Sequence, residues 1–201
     1  MKISLALLVL MAFAATCVAR AGCMDTDNQF WKSSMRATYD KLMGLMTCPL
    51  DADAVTGVQV DSVACNYFVA KALNVLYGVN DFAPPTNGGR WLTANGIVAY
   101  VRSHTDVWSK LGNADSQGAL QDAAAGAAMG QPVIATLAGD PHGHVALILG
   151  GALHQSSTWG LEVPNSAAFS LNDVNRAYVF CRLSFAFSSP SQVELYWREK
   201  K

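Results

Sequence analysis

The sequence predicts an α+β fold in which N-terminal helices pack on an antiparallel sheet. Two observations predict it. Up to residue 129, apolar residues recur mainly at helical spacing. From residue 132 onwards the pattern changes to short strand-like runs such as PVIATLAG and HVALILGG. Helices that precede strands, rather than alternate with them, are typical of α+β domains.

The first residues of the chain have the layout of a secretory signal peptide. Lys2 precedes a short run of Leu, Ala, Val, Met and Phe, and small residues follow up to residue 22. A membrane-spanning helix needs about 20 apolar residues, and this run is shorter. We therefore expect cleavage of residues 1–22, secretion, no membrane insertion, and a single domain over residues 23–201.

Four helices are predicted, and the second has the clearest pattern. In it Phe68, Val69, Leu73 and Leu76 fall at helical spacing, and Gly78 is a suitable stop. The segments between the first three helices contain proline and glycine and are predicted loops. The predicted helices cover residues 25–45, 63–77, 94–103 and 116–129.

The predicted strands cover residues 132–139, 144–151, 152–158 and 176–185. Gly150 and Gly151 separate the second and third of these runs and predict a two-residue hairpin. The last segment, SPSQVELYWREK, begins with a serine followed by proline, which favours helix entry. We therefore expect a helix to close the domain.

Composition and charge exclude several classes of function. The chain has 14 Lys and Arg against 15 Asp and Glu, a formal net charge of −1, and removal of Lys2 and Arg20 makes it more acidic. It has no basic run interleaved with aromatic residues, so electrostatics give no reason to bind nucleic acid. No cluster has the spacing of zinc ligands. We expect no metal, no cofactor and a monomer.

Cys65 is the candidate nucleophile because of its place in the second helix. Asp61 and Ser62 are both good helix caps, and either one puts Cys65 in the first turn. Backbone N–H groups there are unpaired and the helix dipole is positive, which lowers the pKa of a thiol. The alternative is a buried structural cysteine, which is common in helices.

His144 is the candidate base. It follows Gly143 and opens the apolar run HVALILGG, where a buried histidine without a partner would be costly. A cysteine on an early helix and a histidine on a later strand is the order of one class of cysteine hydrolases. His142 is the competitor, but Pro141 and Gly143 predict that it lies in a loop.

A third group should orient the imidazole. A two-residue turn at Gly150-Gly151 would place Gln155 on the same face of the hairpin as His144, where it could accept from Nδ1–H. One extra residue in the turn would place His154, instead of Gln155, on the same face as His144. The alternative is that Gln155 is a solvent-exposed residue of the sheet with no role in the site.

Four stretches of the chain together resemble a known family. ACNYFVAKALNVLYGV, TANGIVAYV, PVIATLAG and GHVALILGG are similar to the type VI secretion amidase effectors, in the NlpC-type branch of papain-like peptidases. The resemblance covers roughly residues 55–160. Because of its secretory signal, the chain most resembles the secreted amidase effectors that ticks acquired from bacteria. It departs from the Asp-Cys-Ser-Gly pattern of the wider branch, since Ala64 and Asn66 flank the cysteine.

The resemblance implies a papain-like fold and a function against bacteria. The family cleaves peptides of bacterial peptidoglycan, with roles that fall on Cys65 as nucleophile and His144 as base. It suggests cleavage of the D-alanyl–diaminopimelate cross-link, with the D-glutamate–diaminopimelate bond as the alternative. Four residues in loops or helix starts are candidate substrate-binding residues, each of which could instead pack or cap: Asn66, Trp91, Asn95 and Trp159.

The resemblance also bears on the pairing of the cysteines. If Cys65 is catalytic, Cys23–Cys48 is the simplest bridge and Cys181 stays reduced, with Cys48–Cys181 as the main rival.

Two other functions remain open. A disulfide-stabilised protein that binds cell wall without cutting it would pair all four mature cysteines. A cysteine acyltransferase would use the same dyad and give exchange products.

Overall fold

The computed structural model describes residues 33–46, 65–83, 91–169 and 177–199, and within them it shows four helices and one six-stranded antiparallel sheet. The predicted α+β class is therefore confirmed. The predicted signal peptide, the helix caps Asp61 and Ser62, and the predicted Cys23–Cys48 bridge lie outside the described residues. The helices are α1 (Ser33–Met43), α2 (Cys65–Tyr77), α3 (Ala94–Ser103) and α4 (Gln117–Ala128).

The strands are β1 (Trp108–Asn113), β2 (Val133–Leu137), β3 (His144–Ser156), β4 (Leu161–Ala168), β5 (Tyr178–Arg182) and β6 (Glu194–Arg198). A short 3-10 helix, Leu183–Phe185, follows β5. The strand order is β1-β6-β2-β3-β4-β5, which puts β3 inside the sheet. In the described part of the chain, no helix is long and apolar enough to span a bilayer.

Strand β3 separates two hydrophobic cores because successive side chains point to opposite faces. Val145, Leu147 and Leu149 pack in the core beneath α1, α2 and α3. Ala146 and Ile148 pack in the core beneath α4. The sheet is therefore covered on both faces.

The later helices agree with their predicted positions because their caps match the sequence signals. Thr93 caps α3, its hydroxyl accepting from the Gly96 N–H at 3.0 Å. Ser116 caps α4 in the same way, accepting from the Ala119 N–H at 3.4 Å. Such caps satisfy backbone donors that the helix itself cannot pair.

The predicted hairpin at Gly150-Gly151 is wrong. Strand β3 runs unbroken through both glycines to Ser156, and the register between β3 and β4 shifts between Leu149 and His154. Gly151 has a φ of 138°, and a β-carbon there would lie 2.6 Å from Asn165 Nδ2. The two glycines therefore permit a bulge and a close approach to β4.

The predicted C-terminal helix is also wrong. Glu194–Arg198 is strand β6, which pairs with both β1 and β2. The residues around it alternate, with Leu195 in the core beneath α4 and Tyr196 in the core beneath α1, α2 and α3. That period of two belongs to a strand. Strands β1 and β4 were not predicted, since WSKLGN and LEVPNSAA contain glycine, proline and polar residues that obscure the pattern.

A partly buried carboxylate ties the segment after α2 to the sheet. Asp81 Oδ2 accepts from Arg198 Nε at 2.7 Å and from Trp108 Nε1 at 2.9 Å. Asp81 Oδ1 accepts from Arg198 Nη2 at 3.2 Å. The two charged side chains are only 14% and 22% exposed, so water screens this pair weakly.

We expect Asp81→Ala to lower the free energy of unfolding by about 2–4 kcal/mol, because it leaves a shielded guanidinium and an indole N–H without their acceptor. Chemical denaturation measures the change. The matched control is Asp40→Ala, which breaks the Arg36–Asp40 pair on the surface of α1, where the side chains are 67% and 56% exposed. It should cost less than about 1 kcal/mol. Equal effects of the two substitutions would contradict this account of Asp81.

Candidate active site

Cys65 is the first residue of α2 and lies against the start of strand β3. It is a free cysteine and only 1% exposed. The backbone N–H groups of Val145, Asn66 and Cys65 itself each favour the thiolate form. The predicted position in the first turn of the helix is therefore confirmed, and the helix N-terminus contacts the residue next to His144.

The expected lowering of the thiol pKa is not observed. Burial raises the pKa of Cys65 to about 11, although the three N–H groups act in the opposite direction. The surroundings explain this outcome, because the cysteine packs in the apolar core formed with Phe68, Val69 and Val145. Removing water penalises a thiolate more than these backbone dipoles stabilise it.

His144 lies on the other face of the sheet from Cys65. It has the same strand parity as Ala146 and Ile148, and its ring meets that of Phe187 edge to face, with centroids 5.1 Å apart. Burial lowers the pKa of His144 to about 4. Among the described residues, no hydrogen bond joins its imidazole to the Cys65 thiol. The two chain segments meet, but the two side chains do not.

The structure does not place Gln155 beside His144, so the predicted orienting role of Gln155 is wrong. Gln155 is exposed near the far end of β3, where it pairs with Glu162. His154 pairs with Val163 in the same region. Both assignments depended on a turn at Gly150-Gly151. Because β3 continues instead, Gln155 and His154 lie at least ten residues along the strand from His144. A straight strand rises about 3.3 Å per residue.

Asn95 fixes the loop that leads into His144. Its Nδ2 donates to the carbonyl oxygens of Gly139 at 2.8 Å and Pro141 at 3.2 Å, and its Oδ1 accepts from the Gly139 N–H at 3.1 Å. A β-carbon on Gly143 would collide with Asn95 Oδ1 and with the Leu137 carbonyl oxygen. Asn95, predicted to bind substrate, is thus engaged in holding this loop.

The other predicted binding residues divide between the two ends of the sheet. Asn66 Nδ2 donates to the Leu92 carbonyl oxygen at 2.8 Å, which fastens the start of α2 to the segment before α3. Trp91 lies in that segment and packs edge to face on Tyr67, with ring centroids 4.8 Å apart. Trp159 lies in the turn between β3 and β4 and packs against the core beneath α4, away from Cys65.

Tyr67 is the residue that sequence reasoning missed. It is half-buried, two positions after Cys65, and contacts Trp91. The available signal was an aromatic residue close in sequence to the candidate nucleophile, on a face that does not match the core-facing positions of α2.

The expectation that Cys181 stays reduced is wrong. Cys181 is buried in β5 and is disulfide-bonded, and its partner lies outside the described residues. Cys65 is free.

Compared with known proteins, the chain matches no family model and no curated sequence. Within the described ranges, no group of three or more His, Cys, Asp or Glu side chains is arranged to hold a metal ion.

The raised pKa of Cys65 predicts slow alkylation of the unliganded protein at neutral pH. Since only the thiolate reacts, the rate should rise about tenfold per pH unit and level off only near pH 11. In denaturant, the alkylation rate of the same thiol should level off near its ordinary pKa of about 8.5. Stopped-flow alkylation with mapping of the labelled peptide measures both profiles. A plateau below pH 8 in the folded protein would show that a base or cation stabilises the thiolate.

Proposed function

We propose that this chain is a secreted antibacterial cysteine amidase that hydrolyses peptides of bacterial peptidoglycan on a papain-like, NlpC-type fold. One observation carries the proposal. A free cysteine begins α2 and packs in the same core as Val145, the residue after His144. Helix, sheet and loop thus bring a nucleophile to the part of the chain that holds two histidines.

The chemistry is a two-step acyl transfer to water. The Cys65 thiol gives its proton to an imidazole, and the sulfur attacks the carbonyl carbon of the scissile amide. The C–N bond breaks, and the imidazolium returns the proton to the leaving amine. Water then hydrolyses the thioester, which yields a carboxylic acid and the free thiol. The backbone N–H groups that favour the thiolate of Cys65 are suitable donors to the oxyanion of each intermediate.

The base must reach the Cys65 face of the sheet before this reaction begins. His144 has to leave its contact with Phe187, and we propose that substrate binding draws it across. With a thiol pKa of about 11 and an imidazole pKa of about 4, both groups are neutral in the unliganded protein. His142, exposed in the loop held by Asn95, is the other histidine close in sequence.

The free state of Cys65 also bears on the other functions. A cell-wall-binding protein that pairs all four mature cysteines is not favoured, because Cys65 is unpaired and buried. A cysteine acyltransferase would need the same dyad, so products separate it from a hydrolase. By the resemblance, the bond cut is the D-alanyl–diaminopimelate cross-link, and the D-glutamate–diaminopimelate bond is the alternative.

We expect Cys65→Ala and His144→Ala each to reduce digestion of diaminopimelate-type peptidoglycan by roughly 10³-fold or more, the scale seen when a nucleophile or its base is removed. Mass spectrometry of the digest measures the rate, identifies the bond, and distinguishes hydrolysis from exchange.

His142→Ala is the matched control, since it removes a histidine two residues away and should keep activity within a few-fold. Circular dichroism should show that all three variants remain folded. Full activity in Cys65→Ala would overturn the proposed function. An inactive His142→Ala with an active His144→Ala would instead assign the base to His142.

A further inference from the structure

Two hydrogen-bond donors next to the candidate nucleophile have no partner. The Tyr67 hydroxyl and the Trp91 indole nitrogen are both shielded from solvent, and the described residues offer neither of them an acceptor. Leaving a buried donor unpaired costs about 1–3 kcal/mol, and buried polar groups are usually paired. The two rings that carry these donors contact each other edge to face, with centroids 4.8 Å apart.

A positive charge lies beside these donors. Lys71 follows Tyr67 by one helical turn, and its Nζ is 4.7 Å from the centroid of the Tyr67 ring. Among the described residues, no Asp or Glu pairs with Lys71. An indole N–H can only donate, and an ammonium group can only donate. The cluster therefore offers donors and positive charge, and what it lacks is an anionic acceptor.

The position of this cluster relative to Cys65 sets what could bind there. Tyr67 is two residues from Cys65 on α2, and Trp91 adjoins Leu92, whose carbonyl oxygen accepts from Asn66. An extended peptide advances about 3.3–3.6 Å per residue. Side chains two residues apart point to different sides of a helix, so a peptide that reaches both Cys65 and the cluster must cross the start of α2.

We infer that Tyr67, Trp91 and Lys71 form a subsite for a carboxylate of the peptide substrate. The carboxylate accepts from the hydroxyl and the indole N–H and pairs with the ammonium group, so all three gain a partner. In peptidoglycan peptides, the free carboxylate of diaminopimelate is suited to it. This inference rests on the proposed function for the identity of the peptide. Both residues are partly exposed although their donor atoms are covered, so the inferred binding requires the rings to turn outwards.

The experiment compares two cross-linked muropeptides that differ only in whether this diaminopimelate carboxylate is free or amidated. Wild-type protein should bind and cleave the free form with a KM at least about tenfold lower, and the binding should change the fluorescence of Trp91. Tyr67→Phe, which removes only the hydroxyl, and Lys71→Met should each reduce this preference several-fold with little change in kcat. Because the hydroxyl is unpaired in the free protein, Tyr67→Phe should not lower the melting temperature.

The matched control is Tyr77→Phe, which removes a hydroxyl from the opposite end of α2, twelve residues or about 18 Å along the helix from Cys65. It should leave the preference intact. Equal use of the two muropeptides by wild-type protein would overturn the subsite while the proposed function stands. A Tyr67→Phe variant with lower stability and unchanged preference would also overturn it, since the hydroxyl would then be structural.

Binding is measured separately in Cys65→Ala protein, so the subsite does not depend on turnover. If wild-type protein cleaves neither muropeptide, but the Cys65→Ala protein binds the free form selectively and loses that selectivity on Tyr67→Phe, the subsite stands and the proposed function falls. Absence of both binding and cleavage overturns both.

Discussion

Packing of the start of helix α2 against the start of strand β3 fixes the position of Cys65. Cys65 shares one core with Val145, and Phe68, Val69 and Leu73 pack in the same core as the inner residues of β3. Fully burying such side chains stabilises a fold by about 1.5–3 kcal/mol each. The cysteine is therefore fixed by the packing that holds the helix on the sheet.

The same burial that fixes the site also suppresses its charges. A thiolate and an imidazolium both lose hydration in an apolar core, so the pKa of Cys65 rises and the pKa of His144 falls. The unliganded protein accordingly holds a neutral thiol and a neutral imidazole on opposite faces of β3. The proposed reaction requires the base to change position, and Asn95 holds the loop that precedes it.

Sequence periodicity was sufficient for α2, α3 and α4, and the capping logic placed Cys65 correctly at a helix start. Periodicity was not sufficient for β3. Its HVALIL run is apolar on both faces, as in strands covered on both sides, so no pattern shows which face His144 occupies. The pair Gly150-Gly151 suits a turn and a bulge equally well, and only pairing with β4 decides between them. The error at Gln155 followed directly from that choice.

The proposed mechanism requires Cys65 to form a covalent bond with its substrate. The most direct measurement is intact-protein mass spectrometry of enzyme quenched in acid during digestion of a diaminopimelate-type muropeptide, followed by mapping of the modified peptide. The account predicts an added mass equal to the acyl part of the substrate, attached to Cys65 and absent once the substrate is consumed. Product formation at an undiminished rate with Cys65 unmodified throughout would contradict it.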